Sequence, residues 1–175
     1  MNTSLVLTLI GPDRPGLVET VAELVAAHGG NWLESRLARL GGQFAGIVRI
    51  ELPGEREAGL RAALAALGEK ALAVEVARDP AAALAPAAGR AVTLELVGQD
   101  RPGIVHQITR VLAAHRVNVE ELTTEWVEAP MAGGMLFQAR AQLLIPAHAD
   151  MAVVRGDLEK IAADLMVDLH FADAP

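Results

Sequence analysis

Apolar positions along the chain follow two periods, and the succession of periods occurs twice. Leu5, Leu7 and Leu9 alternate, while Leu17, Val21, Leu24 and His28 fall at helical spacing, so a strand followed by a helix is predicted. Trp32 to Leu40 and Phe44 to Leu52 read as extended runs, and Gly41-Gly42 between them is a hairpin signal. Leu60, Leu64 and Leu67 mark a second helix, and Leu72, Val74 and Val76 a last strand. The order then returns. Val92, Leu94 and Leu96 alternate with Thr93 and Glu95, and Ile104, Ile108, Val111 and His115 repeat the helical spacing. Phe137, Ala139, Ala141, Leu143 and Ile145 alternate with Gln138, Arg140 and Gln142, so this strand has one buried and one wetter face. Val154, Leu158 and Ile161 predict the fourth helix, and Leu165, Val167 and Leu169 the last strand.

The residues themselves repeat as well. Gly11-Pro12-Asp13-Arg14-Pro15-Gly16-Leu17-Val18 returns 87 positions later as Gly98-Gln99-Asp100-Arg101-Pro102-Gly103-Ile104-Val105. Ala26-Ala27-His28 matches Ala113-Ala114-His115, and Asn31 matches Asn118. Past Phe44, which matches Phe137, the displacement becomes 93, so the second copy carries six extra residues, assigned to Ala129-Pro130-Met131-Ala132-Gly133-Gly134. Each copy is a βαββαβ unit. The predicted class is therefore α+β: two ferredoxin-like domains, each an antiparallel sheet with two helices on one face. The domains are placed at 1–78 and 91–175, with 79–90 as a Pro/Ala linker. Domains this small bury a modest share of their surface, so pairing of the halves or of two chains is expected.

Composition narrows the function classes. Fifteen Lys and Arg against 22 Asp and Glu give a net charge of −7, a field that repels nucleic-acid backbones and anionic lipid. The chain contains no Cys, hence no disulfide framework, thiolate metal site or thiol nucleophile. No apolar run is long enough for a membrane span, and the N-terminus lacks a basic leader, so a cytoplasmic protein is expected.

The duplicated loop is the segment whose residues suggest chemistry. Backbone N–H groups at a helix start attract a carboxylate, Gly16 or Gly103 lets a ligand approach closely, and Asp13 or Asp100 could receive an ammonium group. Asn31 or Asn118, opening the next strand, offers donors and an acceptor to the same small molecule. A free amino acid meets these demands. The alternative stays open: Asp can simply cap the helix, with Pro15 and Pro102 in its first turn, and Asn tolerates left-handed backbone between helix and strand.

The βαββαβ repeat, the Gly-x-Asp-Arg-Pro-Gly-[Leu/Ile]-Val loop, the helix and the following Asn together resemble the ACT domain, a regulatory module that binds amino acids and other small ligands. Two such domains without an attached enzyme, with the loop running from Ala129 to Phe137, are similar to the glycine cleavage system transcriptional repressor family. The resemblance implies a non-enzymatic sensor of glycine or a similar amino acid that acts on transcription by contacting a protein partner, such as an activator, without binding DNA. It also implies sites where two ACT domains meet, and a homodimer is expected. It places ligand contacts on Asp13, Arg14, Pro15, Gly16, Leu17 and Asn31, and on Gln99, Asp100, Arg101, Pro102, Gly103, Ile104 and Asn118. Pro12 is replaced by Gln99 and Gly29-Gly30 by Arg116-Val117, so the two sites are not expected to be equal, and Gln99 favours the second.

Other readings are weaker. His28, His106, His115, His148 and His170 form no metal-binding pair, and Gly-x-Ser-x-Gly and P-loop motifs are absent, so no catalytic residue, metal or cofactor is assigned. His28 and His115 are read as dipole contacts at helix ends, and His106 as a solvated surface residue. The RNA-recognition fold shares the βαββαβ order but needs exposed stacking aromatics, and only 3% of this chain is aromatic. A ligand-independent interaction and dimerisation module is the remaining rival. The six-residue insertion, with Met131 and two glycines followed by Met135 and Leu136, suits either a partner contact or a hairpin folded back on its own domain.

Overall fold

The computed structural model describes residues 1–79, 88–129 and 134–173. The chain divides into two compact units, Met1–Ala85 and Pro86–Pro175. In the first, β1 (Asn2–Pro12), α1 (Leu17–Ala27), β2 (Asn31–Leu40), β3 (Gln43–Pro53), α2 (Glu57–Ala65) and β4 (Ala73–Arg78) follow one another. The second repeats the order with β5 (Gly89–Gln99), α3 (Ile104–Ala114), β6 (Asn118–Glu128), β7 (Met135–Pro146), α4 (Met151–Leu165) and β8 (Val167–Asp173).

Each unit holds one four-stranded sheet, in the order β2-β3-β1-β4 or β6-β7-β5-β8, with every pairing antiparallel. This is the ferredoxin-like arrangement. The alternating residues Leu5, Leu7 and Leu9 are buried with Val48, Ile50 and Leu52, and Leu17, Val21, Val25, Leu60 and Leu64 of the two helices pack onto them. Val92, Leu94 and Leu96 form the matching core with Leu143, Ile145, Ile104, Ile108, Leu112, Val154 and Leu158. Both helices of each unit therefore lie on one sheet face, because β1, β3, β5 and β7 bury their apolar residues on that face.

Local chemistry explains the turns. Gly41 and Gly42 have φ of 57° and 77° and join paired Leu40 and Gln43, the two-residue hairpin that requires left-handed backbone at both central positions. Strands β2 and β6 carry matching irregularities, between Trp32 and Glu34 and between Val119 and Glu121.

Some boundaries differ from the sequence-based expectation. Leu165 ends α4 instead of opening β8, and Ala162 and Leu165 are buried where Ile161 was expected to be. In α1 and α3 the buried third position is Val25 or Leu112, leaving Leu24 and Val111 at the edge of the stripe. Most of the expected linker, 80–87, lies outside the described residues. Of its ends, Gly89 and Arg90 already belong to β5, paired with Pro146 and Ile145; backbone pairing needs no apolar side chain and so left no periodic signal. Asp79 is buried, its Oδ2 accepting from Ser4 Oγ at 2.9 Å and Arg49 Nε at 2.6 Å. In the insertion, Ala129 N–H donates to Gly134 C=O at 3.0 Å, and 130–133 lie outside the described residues.

Candidate functional site

Two glycines of each loop are explained by backbone geometry. Gly11, next to the last residue of β1, runs so close to the chain entering β4 that a Cβ would lie 2.4 Å from the Ala71 carbonyl oxygen. At Gly98 the same atom would meet Val167 Cγ1 at 2.4 Å. Gly16 and Gly103 sit at the N-caps of α1 and α3 with φ of 88° and 95°, a left-handed conformation that L side chains rarely adopt. The helices begin only after them. Pro15 and Pro102 thus precede the N-caps and do not occupy the first helical turns, a correction to the sequence reading with a clear cause: the left-handed glycine intervenes.

Asp13 and Asp100 do not cap these helices, for neither α1 nor α3 has a side-chain cap. The helix starts present backbone N–H groups with Gly16 C=O and Gly103 C=O accepting from Thr20 N–H and Gln107 N–H. Asp13 is engaged otherwise: its N–H donates to Gly42 C=O at 2.9 Å, and its Oδ2 lies 2.8 Å from Arg39 Nε on β2. Asp100 N–H donates to Met135 C=O at 3.3 Å, and among the described residues its carboxylate has no ion pair.

Around the second loop, Asp100, Arg101, Gly103, Ile104, His106 and Phe137 line an open depression of about 420 Å³. Arg101 Nη2 reaches Met166 Sδ at 3.8 Å, and Pro102 is exposed. Ile104, like Leu17, is buried, so its side chain belongs to the core and only its backbone faces the loop. Gln99 follows Thr93, Glu95 and Val97 on the sheet face turned from the helices and does not line this depression. The expectation that Gln99 gives the second loop its polar reach therefore has no geometric support. Arg14 is exposed and Arg101 half-buried.

The two asparagines stand elsewhere. Asn31 pairs with Glu51, which in turn pairs with Ser4 near the start of β1, whereas Gly11 pairs with Phe44 at the other end of the sheet. Helix α1, 11 residues long, carries the chain back roughly 16 Å between them. Asn118 is separated from its loop in the same way, opposite Leu144 while Gly98 is opposite Phe137. One small molecule cannot touch the loop and the Asn of a single domain, contrary to the sequence expectation. Adjacency in a repeated motif hid the length of the helix between its parts.

Residues absent from that expectation also shape the site. Arg39 and Trp126 hold equivalent positions, each opposite the core phenylalanine of the neighbouring strand, Phe44 or Phe137. Their mismatch was readable by aligning the two copies. Beneath α3, Leu96, Ile104, Ile108, Val119, Phe137 and Ala141 surround an apolar cavity of about 30 Å³.

The histidines divide. His28 Nδ1 lies 2.8 Å from Leu24 C=O at the end of α1, the helix-end contact its position suggested. His115 instead turns to α4, with Nε2 3.0 Å from Asp157 Oδ2. That bond, with Lys160 beside it, holds the Asp157 carboxyl below the usual carboxylate range. His106 is exposed. Among the described residues no group of three His, Asp or Glu side chains is placed to hold a metal ion, and no helix is long and apolar enough to cross a membrane.

Comparison with known proteins gives the same outline. The chain is 28% identical over 163 residues to the glycine cleavage system transcriptional repressor of Escherichia coli (strain K12), covering 92% of this chain and 85% of that protein. A crystal structure of an unknown protein from Galdieria sulphuraria matches over the full length of both chains with a TM-score of 0.84 and 28% identity. A crystal structure of a putative glycine cleavage system transcriptional repressor covers 99% of both chains with a TM-score of 0.68 and, at 20% identity, speaks for the fold alone. The family model for the ACT domain matches residues 3–77 and again 91–172, one match for each βαββαβ unit. This chain belongs to the ACT domain family.

Proposed function

We propose that this protein is an amino-acid sensor without enzymatic activity, which regulates transcription of genes of amino-acid metabolism, glycine metabolism foremost, by contacting a protein partner. The observation that carries the reading is the duplicated loop. In both domains a left-handed glycine opens a helix that no side chain caps, beside an Asp carboxylate. Such an arrangement suits the two charges of a free amino acid: carboxylate toward the helix N–H groups, ammonium toward the Asp. Membership of the ACT family and the likeness to a protein named a glycine cleavage system transcriptional repressor support the sensing and regulatory parts. The net charge of −7 supports action through a protein in place of DNA.

Asn31 and Asn118, at the far ends of their sheets, would join such a site only if another domain brought them to it, as in a homodimer of this chain. Binding would be modest. Glycine has five heavy atoms, and at a ceiling of about 1.5 kcal/mol per atom its Kd is no tighter than a few μM.

The test is thermal unfolding of the protein with each free amino acid at millimolar concentration, glycine and serine included. A ligand at about 100 times its Kd adds roughly 2.7 kcal/mol, which moves the midpoint of a small domain by several degrees. A selective shift is expected. Uniform behaviour across all amino acids would overturn the sensor reading and leave an interaction module that acts by protein contact alone.

A further inference from the structure

The two loops share their backbone but not their charge. In the first domain Arg39 reaches across from β2 and places its guanidinium 2.8 Å from Asp13. The pair is locally neutral, and the guanidinium stands where a ligand's ammonium would have to sit. In the second domain the equivalent residue is Trp126, 65% exposed, and Asp100 makes no ion pair among the described residues. A carboxylate with no ion pair among the described residues and an indole at the position where the first domain holds a guanidinium each attract a cationic group, through the carboxylate charge and through the ring quadrupole. Phe137, directly opposite Trp126, lines the same depression as Asp100 and Gly103.

We infer that Arg39 closes the first copy of the loop by acting as an internal substitute for the ligand's ammonium, so that the second domain alone binds a free amino acid, with Asp100 and Trp126 setting its preference for a positively charged amino group. This rests on the reading under Proposed function and deepens it: one ligand per chain, in residues 89–173, and not two. The first domain then keeps the loop for its structural work, since Gly11 and Gly16 are required by backbone geometry alone.

The test resolves the two loops within the full chain. Amide signals of Gly16 and Leu17 report on the first loop and those of Gly103 and Ile104 on the second, in ¹H–¹⁵N spectra titrated with glycine, L-alanine and L-serine. The second pair is expected to shift with a midpoint lower than the first by roughly two- to fivefold, the ratio that displacing an exposed ion pair sets. Arg39→Ala should lower the first midpoint toward that of the second, while Trp126→Arg should raise the second and Trp126→Phe leave it in place. All three changes are at exposed positions, and the dispersion of the same spectra shows that the variants are folded. Equal midpoints in the unaltered protein, or a gap that Arg39→Ala does not narrow, would overturn the inference and leave amino-acid sensing intact. Amides of both loops unmoved by every probe would instead overturn the sensor reading itself, and this inference with it.

Discussion

At the end of α3 the backbone of Arg116 is left-handed, with φ 56°, at the position where Gly29 follows α1 with φ 69°. Both residues turn the chain out of the helix, and Arg116 N–H donates to Ala113 C=O as Gly29 N–H donates to Ala26 C=O. An L side chain in this conformation costs roughly 1–2 kcal/mol, part of which glycine gives back through the freedom it adds to the unfolded chain. Arg116→Gly should therefore stabilise the second domain by about 1 kcal/mol, a rise of several degrees in its unfolding midpoint. Gly29→Ala should lower the first domain's by a similar amount. A Cβ there would meet Pro53 only at 3.9 Å, so the loss would come from backbone conformation and not from a clash. The pair of thermal scans checks the argument by its opposite signs; two shifts of the same sign would refute it.

Among the elements, the repeat was legible because each strand alternates and each helix keeps its apolar stripe, and the Gly41-Gly42 hairpin followed from turn chemistry alone. What was not legible depends on register. Arg39 and Asp13 lie 26 positions apart, and only the pairing of β2 with β3 and of β3 with β1 brings them together. The cavity under α3 has a similar origin. Trp32 and Val48 occupy the corresponding places in the first domain, whereas Val119 and Ala141 leave the gap of about 30 Å³. A void of that size costs about 0.7 kcal/mol at roughly 24 cal/mol per Å³. Ala141→Val, which restores the first domain's residue on the same strand face, should stabilise the second domain by about that amount, read as a higher denaturant midpoint with an unchanged slope. A lower midpoint would mean that the cavity walls cannot receive the two added methyl carbons in an allowed rotamer.

For the molecule as a whole, topology alone would permit RNA binding, since the RNA-recognition fold has this strand and helix order. The chemistry of the sheet faces turned from the helices argues against it. In the first unit that face carries Val6, Glu34, Arg36, Ile47 and Arg49, and in the second Glu95, Val97, Thr123, Glu125, Gln138 and Arg140, with no aromatic residue among those lining its depressions. Phe44 and Phe137 point to the helix side and pack against the cores. A nucleic-acid partner needs stacking rings or a run of Lys and Arg that releases counterions, and a net charge of −7 works against the second route as the bare sheet faces do against the first. Fluorescence anisotropy with labelled single-stranded RNA and duplex DNA at physiological salt is therefore expected to show no binding at micromolar protein. Binding that weakens steeply as salt rises would reveal a basic surface that the charge balance conceals, and would move the proposed regulatory contact from a protein partner to the nucleic acid itself.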